Sequence, residues 1–341
     1  MILSKKIVSK EIYLISDLHA NLPLFKESIK ELNLNKDYLF ILGDLIEKGN
    51  FNIEMLDYLI YLTNQYKEHV YILSGNCDLV VNEFKRPANK EKLLRYSLIL
   101  GKTILNEFLE GIGIDIYSNY DIDLALDKIN VKYKKYFDFI NNLPKGFFIN
   151  DKVLLTHADL SNSITKGLLT KEDFEKFNYS LNVVGHLPVM MYKKNLNMNP
   201  LLKDKVLYID GGNQVVEFGG LNLVKLNLDN LKYSFKTNYN LLKYVVKFDQ
   251  EESGDTYVAE KTEVEKYEKL DDFYNVWINN KKLFVSKRNL VNNKYSYDAT
   301  DIFLKLNKGD IVLGAFIGKT YSFVIKDNTC GLTYTANLEV F

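Results

Sequence analysis

The chain has 341 residues and no net charge, 44 Lys+Arg against 44 Asp+Glu, with 47% apolar and 13% aromatic residues. That composition supplies a sizeable core, excludes wholesale disorder, and argues against a protein built mainly to grip nucleic acid or an anionic membrane. Two cysteines, Cys77 and Cys330, cannot build a disulfide framework, and no run approaches the roughly 18–20 apolar residues of a membrane span, so a cytoplasmic protein is expected.

The opening MILSKKIVSKEIYLISD breaks its apolar residues with lysines before a signal-peptide core can form. Ile12–Ile15 then runs into the polar turn SDLHAN, and a helical pattern follows from Leu22 to Leu32. Tyr38–Leu42 runs into GDLIEKGN, after which Ile53, Leu56 and Ile60 share one helix face. Val70–Leu73 runs into SGNCD. Strands alternating with helices of this length predict an α/β core with helices on the sheet faces.

Residues 85–142 read differently, as a helical cap insertion. Ile122, Leu126, Ile129, Tyr133, Tyr136 and Ile140 recur at helical spacing until Pro144, and Leu94, Leu98, Leu105 and Leu109 mark a further helix. Strands resume at Phe147–Ile149, Val153–Thr156, Asn182–Val184, Val206–Ile209, Val215–Phe218 and Leu221–Leu228. The last three, separated by the pairs Gly211–Gly212 and Gly219–Gly220, read as a meander. Residues 1–248 are therefore taken as the main domain. Residues 249–272, with ten acidic residues against three lysines, read as a solvated linker. Residues 273–341 give short strands between turns, as in a small β-barrel. A chain cut near Phe248 is expected to fold and keep every candidate ligand.

Five of the apolar runs end in side chains able to bind a divalent cation: Asp17 and His19, Asp44, Asn76 with Cys77 and Asp78, His157, and His186. The carboxyl ends of strands in an α/β sheet line one crevice, so these turns can converge. Imidazole, carboxylate and amide donors suit Mn²⁺, Fe²⁺ or Zn²⁺, and the lack of a cysteine cluster argues against an iron–sulfur or structural zinc site.

The motifs Asp17-Leu18-His19, Gly43-Asp44 with Gly49, Gly75-Asn76-Cys77-Asp78, His157 and Gly185-His186 stand in the order of the calcineurin-like metallophosphoesterases, which residues 11–228 resemble. GHLP at the last motif is more similar to the protein-phosphatase and diadenosine-tetraphosphatase branch. The resemblance implies a β-sandwich core flanked by helices. It also implies two divalent metals, Mn²⁺ first, with Asp17, His19 and Asp44 on one and Asp44, Asn76, His157 and His186 on the other. The implied activity is hydrolysis of a phosphomonoester or phosphoanhydride by a hydroxide bridging the metals, which stand roughly 3.5–4 Å apart in such clamps. Asp44, Asn76, Cys77 and Asp78 fall at the positions linked to catalysis. Cys77 replaces the histidine thought to protonate the leaving oxygen, and a thiol is the poorer proton donor. Lys48 replaces a phosphate-binding arginine, and Arg86 and Arg95 are further candidates to meet phosphate. The expected partner is a phosphorylated small molecule, a nucleotide or a phosphoprotein, with neither membrane nor nucleic acid expected. The C-terminal strands loosely resemble bacterial SH3-like domains, so they are expected to bind a protein or to self-associate. The competing reading is a non-catalytic metal-binding or protein-interaction module on the same fold.

Overall fold

Short runs of Ile, Leu, Val and Phe build two sheets from β1 (Ile2–Lys5), β2 (Glu11–Ile15), β3 (Leu39–Leu42), β4 (Val70–Leu73), β5 (Gly146–Ile149), β6 (Val153–Thr156), β7 (Leu181–Val184), β8 (Leu201–Lys203), β9 (Val206–Tyr208), β10 (Leu221–Asn227) and β11 (Tyr233–Asn238). The computed structural model describes residues 1–84, 90–193, 195–259 and 261–341. One sheet runs β1-β5-β6-β7-β9-β8 and the other β11-β10-β2-β3-β4. Strands β2, β3 and β4 are parallel, as are β6, β7 and β9. Strands β3, β4, β6 and β7 are buried at every residue, which is why they read as continuous apolar runs.

One apolar cluster takes Leu14, Phe40, Leu42 and Leu73 from the second sheet and Phe147, Val153, Leu155 and Val183 from the first, so the sheets face one another. A second cluster packs helices α1 (Leu22–Ile29) and α2 (Asn52–Gln65) with the insertion's α3 (Lys90–Leu100), α4 (Ile104–Gly111), α5 (Ile122–Lys132) and α6 (Lys134–Asn141). The helical pattern expected from Ile122 to Ile140 divides at Tyr133, whose φ of −108° and ψ of 18° end α5. Among the described residues no helix is long and apolar enough to cross a membrane.

The chain divides into two units. The first comprises Met1–Leu187, Pro200–Val215 and Gly220–Asn238; the second comprises Pro188–Asn199, Val216–Gly219 and Tyr239–Phe341. This differs from a single boundary at residue 248, because two short segments of the expected main domain carry core residues of the second unit. Val215–Phe218 is not a strand. Phe218 is instead buried with Met190, Leu196, Met198, Phe273 and Phe323 of the second unit. Nor is there a meander, since β9 and β10 lie in different sheets and the glycine pairs carry the chain between them. A Cβ on Gly211 would collide with the Gly220 carbonyl.

The SH3-like barrel is not confirmed: among the described residues the second unit holds open sheets and no closed barrel. One sheet pairs Lys243–Val246 with Ile311–Ile317 and Leu338–Val340, then adds Tyr321–Lys326 and Thr329–Tyr334. A second draws Lys266–Leu270 and Tyr257–Val258 from the acidic stretch expected as a linker, and a third, three-stranded sheet draws Thr262–Glu263 from it. Lys266–Leu270 is exposed along most of its length and pairs on one side only, a charged edge strand whose composition imitates a linker.

Candidate metal centre

The turns after β2, β3, β4, β6 and β7 carry the five motifs, and strained backbone holds them. Asp17, His19, Asp44, Glu47, Lys48 and His186 are non-glycine residues with φ between 41° and 77°. Such conformations cost about 1–3 kcal/mol each and persist only where their surroundings over-determine them. Here the turns brace one another: Asp17 N donates to the Gly43 carbonyl at 3.0 Å and His19 N to the Asp44 carbonyl at 2.9 Å. The motif glycines permit close approach, because a Cβ on Gly75 would strike the Asp44 carboxylate and one on Gly185 the Asp17 carboxylate.

Ring nitrogens and carboxylates converge as a result. Asp44, His157 and His186 offer ligand atoms within 4.8 Å of one another, and so do His19, Asp44 and Cys77, with Asp44 common to both groups. His157 Nδ1 lies 2.7 Å from the Leu42 carbonyl, which assigns the proton to that nitrogen. Its Nε2 is left facing Asn76 Oδ1 at 3.2 Å and Asp44 Oδ1 at 3.3 Å. A second nitrogen tied to a backbone carbonyl is the usual support of a metal-ligating histidine. His19 repeats the arrangement more loosely, with Nδ1 3.4 Å from the Ile46 carbonyl and Nε2 3.8 Å from Asp44 Oδ2. Asp17 accepts the His186 backbone N–H at 3.0 Å and so links the first motif to the last.

The electrostatics suit a cation. Burial would push Asp44 up, but His157, His19 and Lys48 outweigh it and hold the carboxyl well below its ordinary range. Burial, and behind it the charge of Asp44, raises Asp17 to about 6 and Asp78 to about 7. Burial and Asp17 likewise raise Asp210. His157 is carried up to about 10, burial opposing but the carboxylates of Asp44 and Asp17 prevailing. His186 has both ring nitrogens buried without a hydrogen-bond partner among the described residues, and burial lowers it to about 4. A neutral, unpartnered imidazole beside crowded carboxylates fits a divalent cation. Asp17 stands in neither group of potential ligands, and both its carboxylate oxygens face the His186 backbone N–H.

The other candidates are placed less uniformly. Lys48 brings its ammonium 3.2 Å from His19 Nε2. Cys77 donates its N–H to Asp44 Oδ1 at 2.8 Å, and burial pushes its thiol well up. Asp78 is fully buried, with Oδ1 accepting Leu45 N and Oδ2 accepting Gly75 N, both at 2.7 Å. It ties two turns together. Arg95 is exposed on α3, and Arg86 lies outside the described residues. Two residues stand outside the candidates read from the sequence. Asp210 is buried, its Oδ1 accepts from Gly212 N, and its Oδ2 has no hydrogen-bond partner among the described residues. Asn213 donates to the Asp17 and Leu18 carbonyls at 3.1 and 2.8 Å, bracing the first motif. The string YIDGGN, a strand ending in an acid and a turn, was the available signal.

Comparison with known proteins agrees with this geometry. Residues 10–315 match the family described as calcineurin-like phosphoesterase. A serine/threonine-protein phosphatase 2B catalytic subunit A2 of Saccharomyces cerevisiae is 25% identical over 151 residues, 44% of this chain and 18% of that protein. A symmetrical bis(5'-nucleosyl)-tetraphosphatase of Buchnera aphidicola is 38% identical over 69 residues, 20% of this chain and 24% of that protein. The matched stretches thus span under a quarter of either relative. Among solved structures, one titled a putative diadenosine tetraphosphatase aligns at a TM-score of 0.41 and 15% identity, covering 70% of this chain and 98% of that one. A Saccharomyces cerevisiae protein serine/threonine phosphatase aligns at 0.45 and 11%, covering 70% and 84%.

Proposed function

We propose that this chain, which belongs to the calcineurin-like phosphoesterase family, is a metal-dependent hydrolase of a phosphomonoester or phosphoanhydride. The observation that carries the reading is the convergence of Asp44, His157 and His186, with neither His186 nitrogen hydrogen-bonded among the described residues. Two divalent cations, Mn²⁺ first with Fe²⁺ or Zn²⁺ as alternatives, would neutralise phosphoryl oxygens and lower the pKa of a water when bound. Asp17, His19 and Asp44 would hold one, and Asp44, Asn76, His157 and His186 the other.

The chain's own side chains then have defined tasks. The Leu42 carbonyl accepts from His157 Nδ1, so Nε2 is the nitrogen that would bind a cation, which would displace the proton that Asp44 and Asp17 favour there. Lys48 meets a phosphoryl oxygen as a point charge, without the two-pronged contact an arginine would make. Water adds to phosphorus as the leaving oxygen departs, and that oxygen needs a proton. Cys77 is an inferior source of it, so leaving groups that depart as stable oxyanions should fare best. This favours a nucleoside polyphosphate or aryl phosphate over phosphoserine, in keeping with a relative named as a bis(5'-nucleosyl)-tetraphosphatase.

The test joins metal analysis to a substrate panel. Protein purified without chelator and loaded with Mn²⁺ should carry two ions per chain. It should turn over p-nitrophenyl phosphate and dinucleoside polyphosphate well ahead of a phosphoserine peptide. Less than one ion per chain would favour a non-catalytic module, and phosphoserine turning over fastest would refute the substrate order.

A further inference from the structure

We propose that Glu47 is a positioning residue that fixes the Lys48 ammonium beside the ligand cluster by tying its loop to the helical insertion. The inference rests on the phosphoesterase reading and assigns that site a second support besides the sheets. Glu47 and Lys48 are consecutive non-glycine residues at φ 72° and 69°, in the left-handed region that side chains disfavour. Something must hold both. Glu47 N donates to Asn52 Oδ1 at 2.7 Å, Glu47 Oε1 accepts from Ile104 N at 2.9 Å, and Lys48 N donates to the Lys102 carbonyl at 2.9 Å.

Two of those three partners lie where α3 passes into α4. The third, Asn52, is itself fixed from α4, since Glu107 accepts from Asn52 N and Ile53 N, both at 2.8 Å. The Tyr96 phenol of α3 lies against the same Glu47 carboxyl. With Glu47 only 1% exposed, its carboxyl cannot meet a substrate and can act only through the residue it places. That residue is Lys48, whose Nζ reaches His19 Nε2 and faces the carboxylates of Asp44, Asp17 and Asp210.

A double-mutant cycle on the full chain loaded with Mn²⁺ tests this. Glu47→Ala should lower kcat/KM for p-nitrophenyl phosphate by about 10–100-fold, the scale of a misplaced positioning contact, mainly through KM. Glu47→Gln keeps an acceptor for Ile104 N and should stay within about twofold of the parent. In a Lys48→Ala background, adding Glu47→Ala should change kcat/KM by less than about twofold, because the placed group is already gone. Metal content should be equal throughout. Should Glu47→Ala fold poorly, Glu47→Asp keeps the charge but falls short of Ile104 N and takes its place in the cycle. Inorganic phosphate binding by calorimetry repeats the cycle without turnover. Equal losses in the two backgrounds, or losses that follow metal content, overturn the inference in an active protein. A parent that neither turns over substrate nor binds phosphate overturns the phosphoesterase reading, and this inference with it.

Discussion

Asp44 stands in both groups of potential ligands, and its carboxyl is the one in the cluster held well below the ordinary range. A charge there stabilises a cation on either side, and an amide in its place would keep the shape without the charge. Asp44→Asn should therefore cost more than the roughly 10–100-fold that follows loss of an outer partner of a ligand. His69→Ala should do little to activity, since His69 precedes β4 and lies against the Tyr38 ring at 4.7 Å. Parallel assays of the two variants with Mn²⁺ decide the matter; equal activities would remove Asp44 from its assigned place. The ligand candidates could be read from the sequence because each sits at the end of an apolar run, where type and position are both visible. Glu47 could not. What singles it out is burial and a partner brought by a distant segment, Ile104, and no local pattern encodes that.

Among elements, the parallel strands were legible because burial on both faces leaves mostly apolar residues, with Thr156 and Asn182 buried as a hydrogen-bonded polar pair. The insertion was legible as helix because its apolar stripe repeats, but its function as a brace was not. Helix α2 shows why. Its first residues bond no side chain of their own N-cap, Phe51, and instead receive the Glu107 carboxylate from α4. A carboxylate at a helix N-terminus satisfies orphan N–H groups and opposes the helix dipole favourably. Glu107→Ala leaves these donors without an acceptor, at a cost of about 1–3 kcal/mol. The melting temperature should fall by a few degrees, and Glu107→Gln, which keeps one acceptor, should recover part of it. Thermal melts of the three proteins are the measurement. An unchanged melting temperature in Glu107→Ala would mean that water serves α2 as well as α4 does.

At the scale of the whole molecule, composition located the acidic stretch but not the connectivity around it. The second unit takes Pro188–Asn199 and Val216–Gly219 before the chain enters it for good at Tyr239. The reason lies in single apolar residues. Met190, Leu196, Met198 and Phe218 are each at most 3% exposed, among Phe273, Phe323, Ile325, Cys330 and Leu332. Cys330 N also donates to the Leu196 carbonyl, and Met198 N to the Asn328 carbonyl. A chain ending at Phe248 loses every one of those later partners and presents four large apolar side chains to water, each worth about 1.5–3 kcal/mol of burial. Such a truncated chain should therefore aggregate or bind a hydrophobic dye, although all its candidate metal ligands lie before the cut. Replacing Met190, Leu196, Met198 and Phe218 by polar residues in the same truncated chain should restore solubility. Metal content should then approach that of the full chain, because those ligands belong to the first unit. Light scattering, dye fluorescence and metal analysis on both truncated chains give the answer. A soluble, dye-free chain with its native residues would return the boundary to residue 248, and a soluble polar variant without metal would make the second unit part of what forms the site.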